Sequence, residues 1–435
     1  MHPQMSIMGT KSLKVFLLSM ALMASVGGFA QADIDSPYSL FGVGQLRSNA
    51  MNVRLKGMGG IANAMSGPGM INTGNPASLA KMDSLAFLFD AGIYFKTSSF
   101  STSTNREIGA NASFDYVGLA FGFTSWWKTA LGVQPYSSAG YKMVVDNYKE
   151  DVGNYTTVFK GSGGINQAFW SNAFKIGKHF AIGANAYYVF GNSENMTTLY
   201  MPDSTYSIGS RRSLDLTISS FMFDYGMMFN ANLAPDLALT VGVTYDQSVK
   251  LRGKQSLFIR SIEEDLDTDV EYLIDTVAFQ VNDKAHLTMP QGFGVGFALA
   301  KDNRWCVGAD FNWMQWSHFA REGATEDLSD SWRVAVGFEY MPTFSSVSSY
   351  FRRVHYRIGG FYENGFINLR GHNINKVGLT AGASLPLPRS ASRINLALEI
   401  GQYGTLKDGL IQERYLKFDV GISVFEHWFM KRKYK

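Results

Sequence analysis

The sequence predicts an all-β fold, a fourteen-stranded antiparallel transmembrane β-barrel with an N-terminal hatch (plug) inside its lumen. Three observations predict it. Segments throughout residues 84–426 alternate apolar and polar residues with the period of two that β-strands have. Short turns and long loops join these segments in alternation. Beyond the N-terminal region, no apolar run reaches the roughly 20 residues that a spanning helix needs.

Residues 1–32 have the layout of a secretory signal peptide. Lys11 and Lys14 precede the apolar run VFLLSMALMASVGGFA, which leads into an A-x-A site ending at Ala32. Cleavage is expected after Ala32, with Ala30 as the other candidate. A membrane anchor is the alternative, but the apolar run is short of the roughly 20 residues of a spanning helix.

The composition argues against several classes of protein. Cys306 is the only cysteine, so the chain has no structural disulfide and no lipid-modified N-terminal cysteine. Charged residues make up 17% of the chain and the formal net charge is +3, a balance that does not indicate a nucleic-acid partner. A soluble all-β protein and a transmembrane barrel both remain compatible with these numbers.

The two faces of each strand favour the barrel. In RYLKFDVGISVF, Leu416, Phe418 and Val420 fall on one face, and Lys417 and Asp419 fall on the other. In QGFGVGFALA the face opposite the large apolar residues consists of glycine and alanine. A wholly apolar face opposite a small, polar or charged face, repeated over many strands, predicts a lipid-facing exterior and a large polar lumen. Closed barrels survive in lipid because every strand finds a partner.

Fourteen strand cores are predicted, an even number, as bacterial single-chain barrels have. They lie near residues 84–97, 110–123, 128–141, 156–175, 179–193, 213–231, 236–250, 290–300, 304–316, 331–341, 352–363, 375–386, 392–402 and 414–425. The longest loop is residues 251–289. Because short turns face the periplasm in such barrels, both termini are expected there, in a Gram-negative outer membrane, with residues 427–435 as a basic periplasmic tail.

Charged residues of both signs fall on the predicted lumen face. They are Asp90, Lys96, Asp246, Asp310, Arg333, Glu339, His355, Arg357, Glu399, Lys417 and Asp419. We expect most of them to pair across the lumen and stiffen the barrel. Cys306 falls on the same face, where a lone thiol is expected to be passive.

Residues 33–83 do not alternate and precede the first strand. A fourteen-stranded barrel encloses a water-filled lumen unless something occupies it. This stretch is rich in glycine and methionine, which allow sharp turns and fill irregular apolar space. It is predicted to be the hatch, with Asn75, Pro76 and Ala77 as the bend into the wall; an exposed periplasmic tail is the alternative. The candidate lining of a hydrophobic ligand site is Phe41, Met51, Leu55, Met58, Ile61, Met65 and Met70.

The stretch LKGMGGIANAMSGPGMINTGNPASLAKMDSLAF resembles the N-terminal signature of FadL-type transporters of long-chain fatty acids and other hydrophobic compounds. In that family a Gly/Ala-rich hatch ends in a run of the form N-P-A-x-(L/M), followed at once by the first strand. Here the run is Asn75-Pro76-Ala77-Ser78-Leu79. The resemblance implies a fourteen-stranded barrel with a hatch, in agreement with the strand count. The start of the hatch, DSPYSLFGVGQLRSNA, does not map onto the fatty-acid members.

The resemblance implies passive transport of a hydrophobic molecule, with a hatch that moves near Asn75-Pro76-Ala77. The same plan also resembles PorV-type barrels, which serve a protein secretion system as a shuttle, so such a role without small-molecule flux is the alternative. The expected partners are membrane lipid, lipopolysaccharide and a hydrophobic small molecule, or secretion-system proteins under the alternative. A monomer is expected.

The sequence does not indicate an enzyme or a cofactor. Its seven histidines show no H-x-H or H-E-x-x-H spacing, and there is no G-x-S-x-G. A Ser–His pair formed across strands stays open, because strand neighbours are remote in sequence. No cofactor is therefore expected.

An acidic stretch, SIEEDLDTDVEYLID, lies in the longest predicted external loop. A solvated loop is the first interpretation. Its carboxylates are also a weak candidate for binding Ca²⁺ or for bridging to lipopolysaccharide through divalent ions. The spacing of Ile262, Leu266, Val270 and Leu273 also fits one face of a short amphipathic helix. The candidate ligands are Glu263, Glu264, Asp265, Asp267 and Asp269.

Overall fold

In the computed structural model of the protein, the described residues are 36–48, 50–150, 153–201, 208–265, 270–302, 304–321, 327–343, 349–388 and 390–427. The predicted signal peptide (1–32), the first three residues of the predicted hatch (33–35) and the tail beyond residue 427 lie outside them.

Twenty-one strands are assigned in the described residues, and most of them form one sheet. They are β1 (Gln45–Leu46), β2 (Ala86–Ser101), β3 (Arg106–Phe121), β4 (Trp127–Ser138), β5 (Tyr141–Lys149), β6 (Gly153–Ile176), β7 (Phe180–Tyr200), β8 (Ile208–Ala234), β9 (Leu237–Asp246), β10 (Val249–Asp265), β11 (Val270–Met289), β12 (Gly292–Lys301), β13 (Trp305–Met314), β14 (Ala320–Arg321), β15 (Ser331–Tyr340), β16 (His355–Asn364), β17 (Asn368–Leu369), β18 (His372–Asn373), β19 (Lys376–Pro386), β20 (Arg393–Gly404) and β21 (Gln412–His427).

The wall closes on itself, because β2 pairs with β21 as well as with β3. In three places two consecutive strands occupy one position of the wall: β4 with β5, β9 with β10, and β11 with β12. Together with the short additions β1, β14, β17 and β18, this grouping leaves fourteen wall positions. The predicted fold class, a fourteen-stranded antiparallel barrel, is confirmed. We call the end with the turns at residues 177–179 and 235–236 the short-turn end, and the opposite end the long-loop end.

The alternation in the sequence corresponds to the two faces of this wall. On β21, Leu416 and Phe418 are 47% and 39% exposed on the outside of the wall. The next residue, Asp419, lies on the lumen face and is fully buried. The same apolar exterior recurs around the barrel, at Leu131, Val243, Phe297, Val336, Leu379 and Ile400 among others. Such a surface is stable in lipid, where the closed hydrogen-bond ladder leaves few backbone groups unpaired.

Short helices shape the segment before the wall. The 3₁₀ helix Pro37–Leu40, the α-helix α1 (Val53–Lys56) and the 3₁₀ helix Pro76–Lys81 each follow a Ser or Asn whose side chain accepts a first-turn N–H. Two of them begin with proline, which suits the first helical position. Further 3₁₀ helices are Trp316–His318, Tyr350–Arg353 and Lys407–Gly409. Within the part of the chain that is described, no helix combines the length and apolar character needed to cross a membrane.

Glycines on the lumen face bring the wall into direct contact with the segment that precedes it. A Cβ at Gly242 would lie 1.8 Å from the carbonyl oxygen of Asn63, and a Cβ at Gly226 would lie 2.1 Å from Oδ1 of Asn75. A Cβ at Gly296, in QGFGVGFALA, would lie 2.7 Å from Cβ of Asn63. The glycine-rich face read in the sequence is therefore a contact surface for residues before the first wall strand.

We expect Gly242→Ala to loosen this contact. The added Cβ overlaps the Asn63 carbonyl oxygen, so either the wall or the segment must shift, at a cost of about 1–3 kcal/mol for overpacking. The temperature at which half of the protein changes from its folded to its unfolded gel mobility should be lower for the variant. The matched control is Gly69→Ala, where a Cβ meets nothing within 4 Å. Equal midpoints for Gly242→Ala and the wild type would contradict the prediction.

The longest predicted loop, residues 251–289, is instead mostly strand. β10 and β11 form a long antiparallel hairpin in which Ile262 pairs with Leu273. The amphipathic-helix interpretation is wrong for this reason: Ile262 and Leu273 lie on two strands and not on one helix face. Leu266, the second residue of that interpretation, lies outside the described residues.

Candidate functional site

Buried ion pairs hold the N-terminal segment (residues 36–85) to the wall. Lys56 is 6% exposed, and its ammonium pairs with Asp115 on β3 and, at 3.3 Å, with Asp419 on β21. Asp419 also pairs with Lys417 at 3.0 Å. In this cluster the lumen-facing charges thus pair along one strand and with the N-terminal segment, whereas pairing across the lumen was predicted.

A second cluster joins Arg54 to strands β15 and β16. Glu339 accepts a hydrogen bond from Arg54 Nη2 at 2.8 Å and another from Arg357. Its Oε1 lies 3.2 Å from Nδ1 of His355. One carboxylate therefore serves two guanidinium groups, one from the N-terminal segment and one from the wall.

The backbone of the segment is also hydrogen-bonded to wall side chains. Oδ2 of Asp310 accepts from the N–H groups of Ala62 and Asn63, the latter at 2.8 Å. Oγ1 of Thr380 accepts from the N–H of Gly59 at 2.8 Å. Because these partners lie on β13 and β19, the contacts extend to several sides of the barrel.

The predicted bend at Asn75, Pro76 and Ala77 is a tightly tied corner. Asn75 is fully buried, and its Oδ1 accepts from the N–H of Ala77 at 3.1 Å. Its Nδ2 donates to the carbonyl oxygen of Asn63 at 2.6 Å and to that of Met227 on β8 at 3.3 Å. This corner is where the helix Pro76–Lys81 begins. The amide of Asn75 therefore connects three parts of the chain: residue 63, this helix and strand β8.

The seven candidate lining residues pack in two apolar clusters. Leu55, Met58 and Ile61 are fully buried, and with Met65 and Met70 they contact Ala298, Ala335 and Phe361 of the wall. Met51 is buried in the larger cluster, against which Phe41 is partly buried. Their role as a ligand lining stays a prediction. Of the seven, only Met65 lines one of the three cavities described below.

The long-loop end carries an apolar cap over the N-terminal segment. Trp316, which is 1% exposed, stacks on Phe366 with ring centroids 4.2 Å apart. Tyr38 donates its hydroxyl to the carbonyl oxygen of Ile411 at 2.6 Å. Burial raises the pKa of Tyr38 to about 12, further above neutral pH than its ordinary value. The cap is thus apolar, and one hydrogen bond joins it to an outer loop.

The wall has one short ladder, between β3 and β4, which joins only residues 117–121 to residues 129–133. Toward the long-loop end, β4 and β5 continue to pair with β6, whereas β3 has no partner on this side among the described residues. Part of the free edge of β4 is covered by β1, where Gln45 pairs with Ser138 and Leu46 with Ser137. We call this place the seam.

Gly44 and Ser137 fix the seam locally. Gly44 has φ +96°, and a Cβ there would lie 2.6 Å from the carbonyl oxygen of Ser138, so glycine is required. The Ser137 hydroxyl donates to the carbonyl oxygen of Val43 at 2.6 Å. A two-residue strand of the N-terminal segment thereby takes part in the wall.

Three cavities flank the N-terminal segment. Cavities of about 160 and about 70 Å³ lie beside residues 46–48, next to the seam. A cavity of about 600 Å³ lies between residues 65–69 and the short-turn end of the wall. Charged side chains such as Arg333 and Glu363 line the first, so the interior combines polar spaces with the apolar clusters.

Sequence reasoning missed the seam and the two cations of α1. Gly44 was one of many glycines, and only the structure gives it a positive φ against Ser138. Arg54 and Lys56 are two charges among glycine and methionine, in a segment interpreted through its apolar residues. Both cations lie, in the sequence, between residues that were expected to face inward. This position is the signal that could have identified them.

Metal binding by the acidic stretch stays a prediction, because Glu263 is the only one of its five candidate ligands whose side chain is described. Among the described residues, no group of three or more His, Cys, Asp or Glu side chains could hold a metal ion. Glu263 is exposed on β10, and Asp267 and Asp269 lie outside the described residues. Backbone pairing places Glu264 opposite Glu271 and Asp265 opposite Val270 at the tip of the hairpin.

A closed barrel with an apolar exterior and a buried polar lumen defines a transmembrane β-barrel of the outer-membrane type. The chain belongs to the BamG family: the model of this family, described as "BamG", matches residues 12–435. No curated protein matches the sequence.

Solved FadL-type structures have the same fold. A toluene transporter of Ralstonia pickettii, TbuX, is 13% identical with a TM-score of 0.59, covering 87% of this chain and 99% of its own. The Pseudomonas putida toluene transporter TodX is 14% identical with a TM-score of 0.54, covering 88% and 100%. A Pseudomonas aeruginosa FadL homologue is 12% identical with a TM-score of 0.55, covering 88% and 100%. At these identities the likeness concerns the fold alone.

Proposed function

We propose that the protein is a passive outer-membrane channel for hydrophobic molecules, such as long-chain fatty acids or hydrocarbons, gated by its N-terminal segment acting as a hatch. The seam is the observation that carries this proposal. There the wall is interrupted beside β3, and β1, a piece of the N-terminal segment, covers part of the interruption. A strand held by two residue pairs can leave far more easily than a full ladder, and its departure opens the wall sideways.

The proposed path needs no energy source. A hydrophobic molecule leaves water at the apolar cap around Trp316 and Phe366, passes the cavities beside residues 46–48, and exits through the seam. The overall transfer is from water to lipid, which is favourable for an apolar molecule. The FadL-type neighbours, two of which are named toluene transporters, support this proposal by their fold. Both termini face the periplasm in it.

We propose that Asn75 is the hinge of the gate. Its amide connects residue 63, the start of the helix Pro76–Lys81 and strand β8, so movement of one part is transmitted to the others. Replacing the amide leaves the buried carbonyl of Asn63 without this donor, and unpaired buried polar groups cost about 1–3 kcal/mol each.

We expect Asn75→Ala to change the uptake rate several-fold while the barrel still folds. The measurement is uptake of a labelled long-chain fatty acid and a labelled aromatic hydrocarbon by cells that lack their own transporter. Asn105→Ala, in an exposed turn at the long-loop end, is the matched control. If the folded wild-type barrel takes up neither probe, the channel proposal fails. If Asn75→Ala behaves like the control, only the hinge fails.

A second candidate function is that of a secretion-system component without small-molecule flux. It is favoured by β11, whose residues 272–284 are exposed and whose edge is unpaired there in the described residues. Val277 and Phe279 on this strand are 66% and 70% exposed. Such an edge can accept a strand of another protein. A folded barrel without uptake, copurifying with a protein through this hairpin, would select this function.

A further inference from the structure

The cavity of about 600 Å³ at the short-turn end has an unusual charge balance. Five arginines line it, Arg54, Arg304, Arg353, Arg357 and Arg393, and Lys301 is a sixth cation of the lining. The only buried carboxylate among the lining residues is Glu339, which is 6% exposed. The other acidic lining residues, Asp83 and Asp302, are exposed at the rim. Six Lys and Arg side chains against three carboxylates leave the lining with three uncompensated positive charges.

Glu339 is already occupied, so Arg353 and Arg393 lack an anionic partner. It takes hydrogen bonds from Arg54 and Arg357, and neither Arg353 nor Arg393 forms an ion pair with a described residue. Nε of Arg353, Nη1 of Arg393 and Nε2 of His355 are buried without any hydrogen-bond partner in the structure.

Uncompensated charges in a partly buried space are costly, because a guanidinium that has lost water must regain hydrogen bonds elsewhere. An oxyanion relieves this cost, and the planar fork of arginine matches carboxylate and phosphate groups. The rest of the lining is largely apolar and includes Met65, Pro68, Met341, Pro386 and Phe425. The cavity therefore offers donors for a head group beside surface for a chain.

We propose that this cavity binds an anionic amphiphile, a carboxylate or phosphate head group on an apolar chain. The guanidinium groups of Arg353 and Arg393 hold the head group, and the apolar side chains contact the chain. The choice of an amphiphile as the ligand rests on the proposed transport function, and the site makes that function more specific. The cation cluster by itself requires only an anion.

Cys306, the only cysteine of the chain, lines the same cavity and serves as the reporter. The rates at which anionic and cationic methanethiosulfonate reagents modify it are measured on purified protein in a neutral detergent. The positive cavity concentrates the anionic reagent, so its rate should exceed that of the cationic reagent by about tenfold or more at low salt. The ratio should fall as salt is added.

Variants assign the effect to particular arginines. Arg393→Gln and Arg353→Gln should each lower the rate ratio several-fold, Arg393→Lys should retain most of it, and Arg106→Gln, at the long-loop end, should not change it. Heat-modifiable mobility confirms that each variant is folded. An equal ratio in wild type and Arg393→Gln would overturn the anion site.

Protection of Cys306 by ligands tests the amphiphile. Dodecanoate and dodecyl phosphate should slow modification in a saturable way, dodecanol should not, and inorganic phosphate should protect only at much higher concentration. Equal protection by dodecanol would overturn the role of the head group, and equal protection by inorganic phosphate would overturn the role of the chain. Because this is binding and not flux, the site can be present in a protein that transports nothing.

Discussion

Lys56→Met should release the N-terminal segment from the wall. Lys56 places one ammonium between Asp115 and Asp419, and methionine keeps the length of the side chain but removes the charge. Asp419 keeps Lys417 at 3.0 Å, whereas Asp115 keeps no cation within ion-pair distance among the described residues. Removing one member of a buried ion pair typically costs about 3–5 kcal/mol, because the other charge stays buried and unpaired.

Two measurements detect the release of the N-terminal segment. Limited proteolysis of the purified barrel should cut within residues 46–70 of the variant much faster than in the wild type, and single channels in planar bilayers should conduct. Lys96→Met is the matched control, because Lys96 pairs with Glu413 at 2.7 Å between two wall strands. It removes a buried cation whose ion pair lies within the wall.

A second substitution separates charge from packing. Adding Asp115→Asn to Lys56→Met removes the orphaned carboxylate, so protease protection should return toward the wild-type level. If Lys56→Met is as protected as the wild type, or if the control is cut equally fast, the ion pair does not hold the segment.

The wall was predictable because each strand carries its own evidence. One-residue alternation follows from the pleat alone, so RYLKFDVGISVF reveals an outer face at Leu416 and Phe418 and an inner face at Asp419 without any knowledge of neighbours. Pairing consecutive segments then follows from the short turns. The β10–β11 hairpin was missed because its acidic tip has the composition of a solvated loop, although its backbone continues the ladder.

Contacts across the lumen were not predictable in the same way. Lys56 and Asp419 are 363 positions apart, and no local pattern selects this partner over another lumen charge. The same holds for the wall glycines, whose absent side chains become meaningful only when Asn63 or Asn75 lies against them. The sequence indicated which residues face inward, but partner choice depends on the path of the N-terminal segment.

A disulfide across the seam should stop uptake, and this is the second large effect expected. Leu46 and Ser137 are register partners of β1 and β4. Partners in an antiparallel ladder have Cα atoms about 4.5–5.5 Å apart, within the range that a disulfide spans. In a Cys306→Ser background, Leu46→Cys with Ser137→Cys should form this bond under oxidation. Uptake should then fall to that of cells without the protein, and a reductant should restore it.

The matched control places the same bond where the wall is already closed. Asp146 and Thr156 are register partners on β5 and β6, away from the N-terminal segment, so a disulfide between cysteines there should leave uptake unchanged. If both disulfides reduce uptake equally, oxidation acts by stiffening the barrel in general. If the oxidised seam still passes the probe, the molecule does not leave between β3 and β4, and the role of β1 as a removable piece of the wall is wrong.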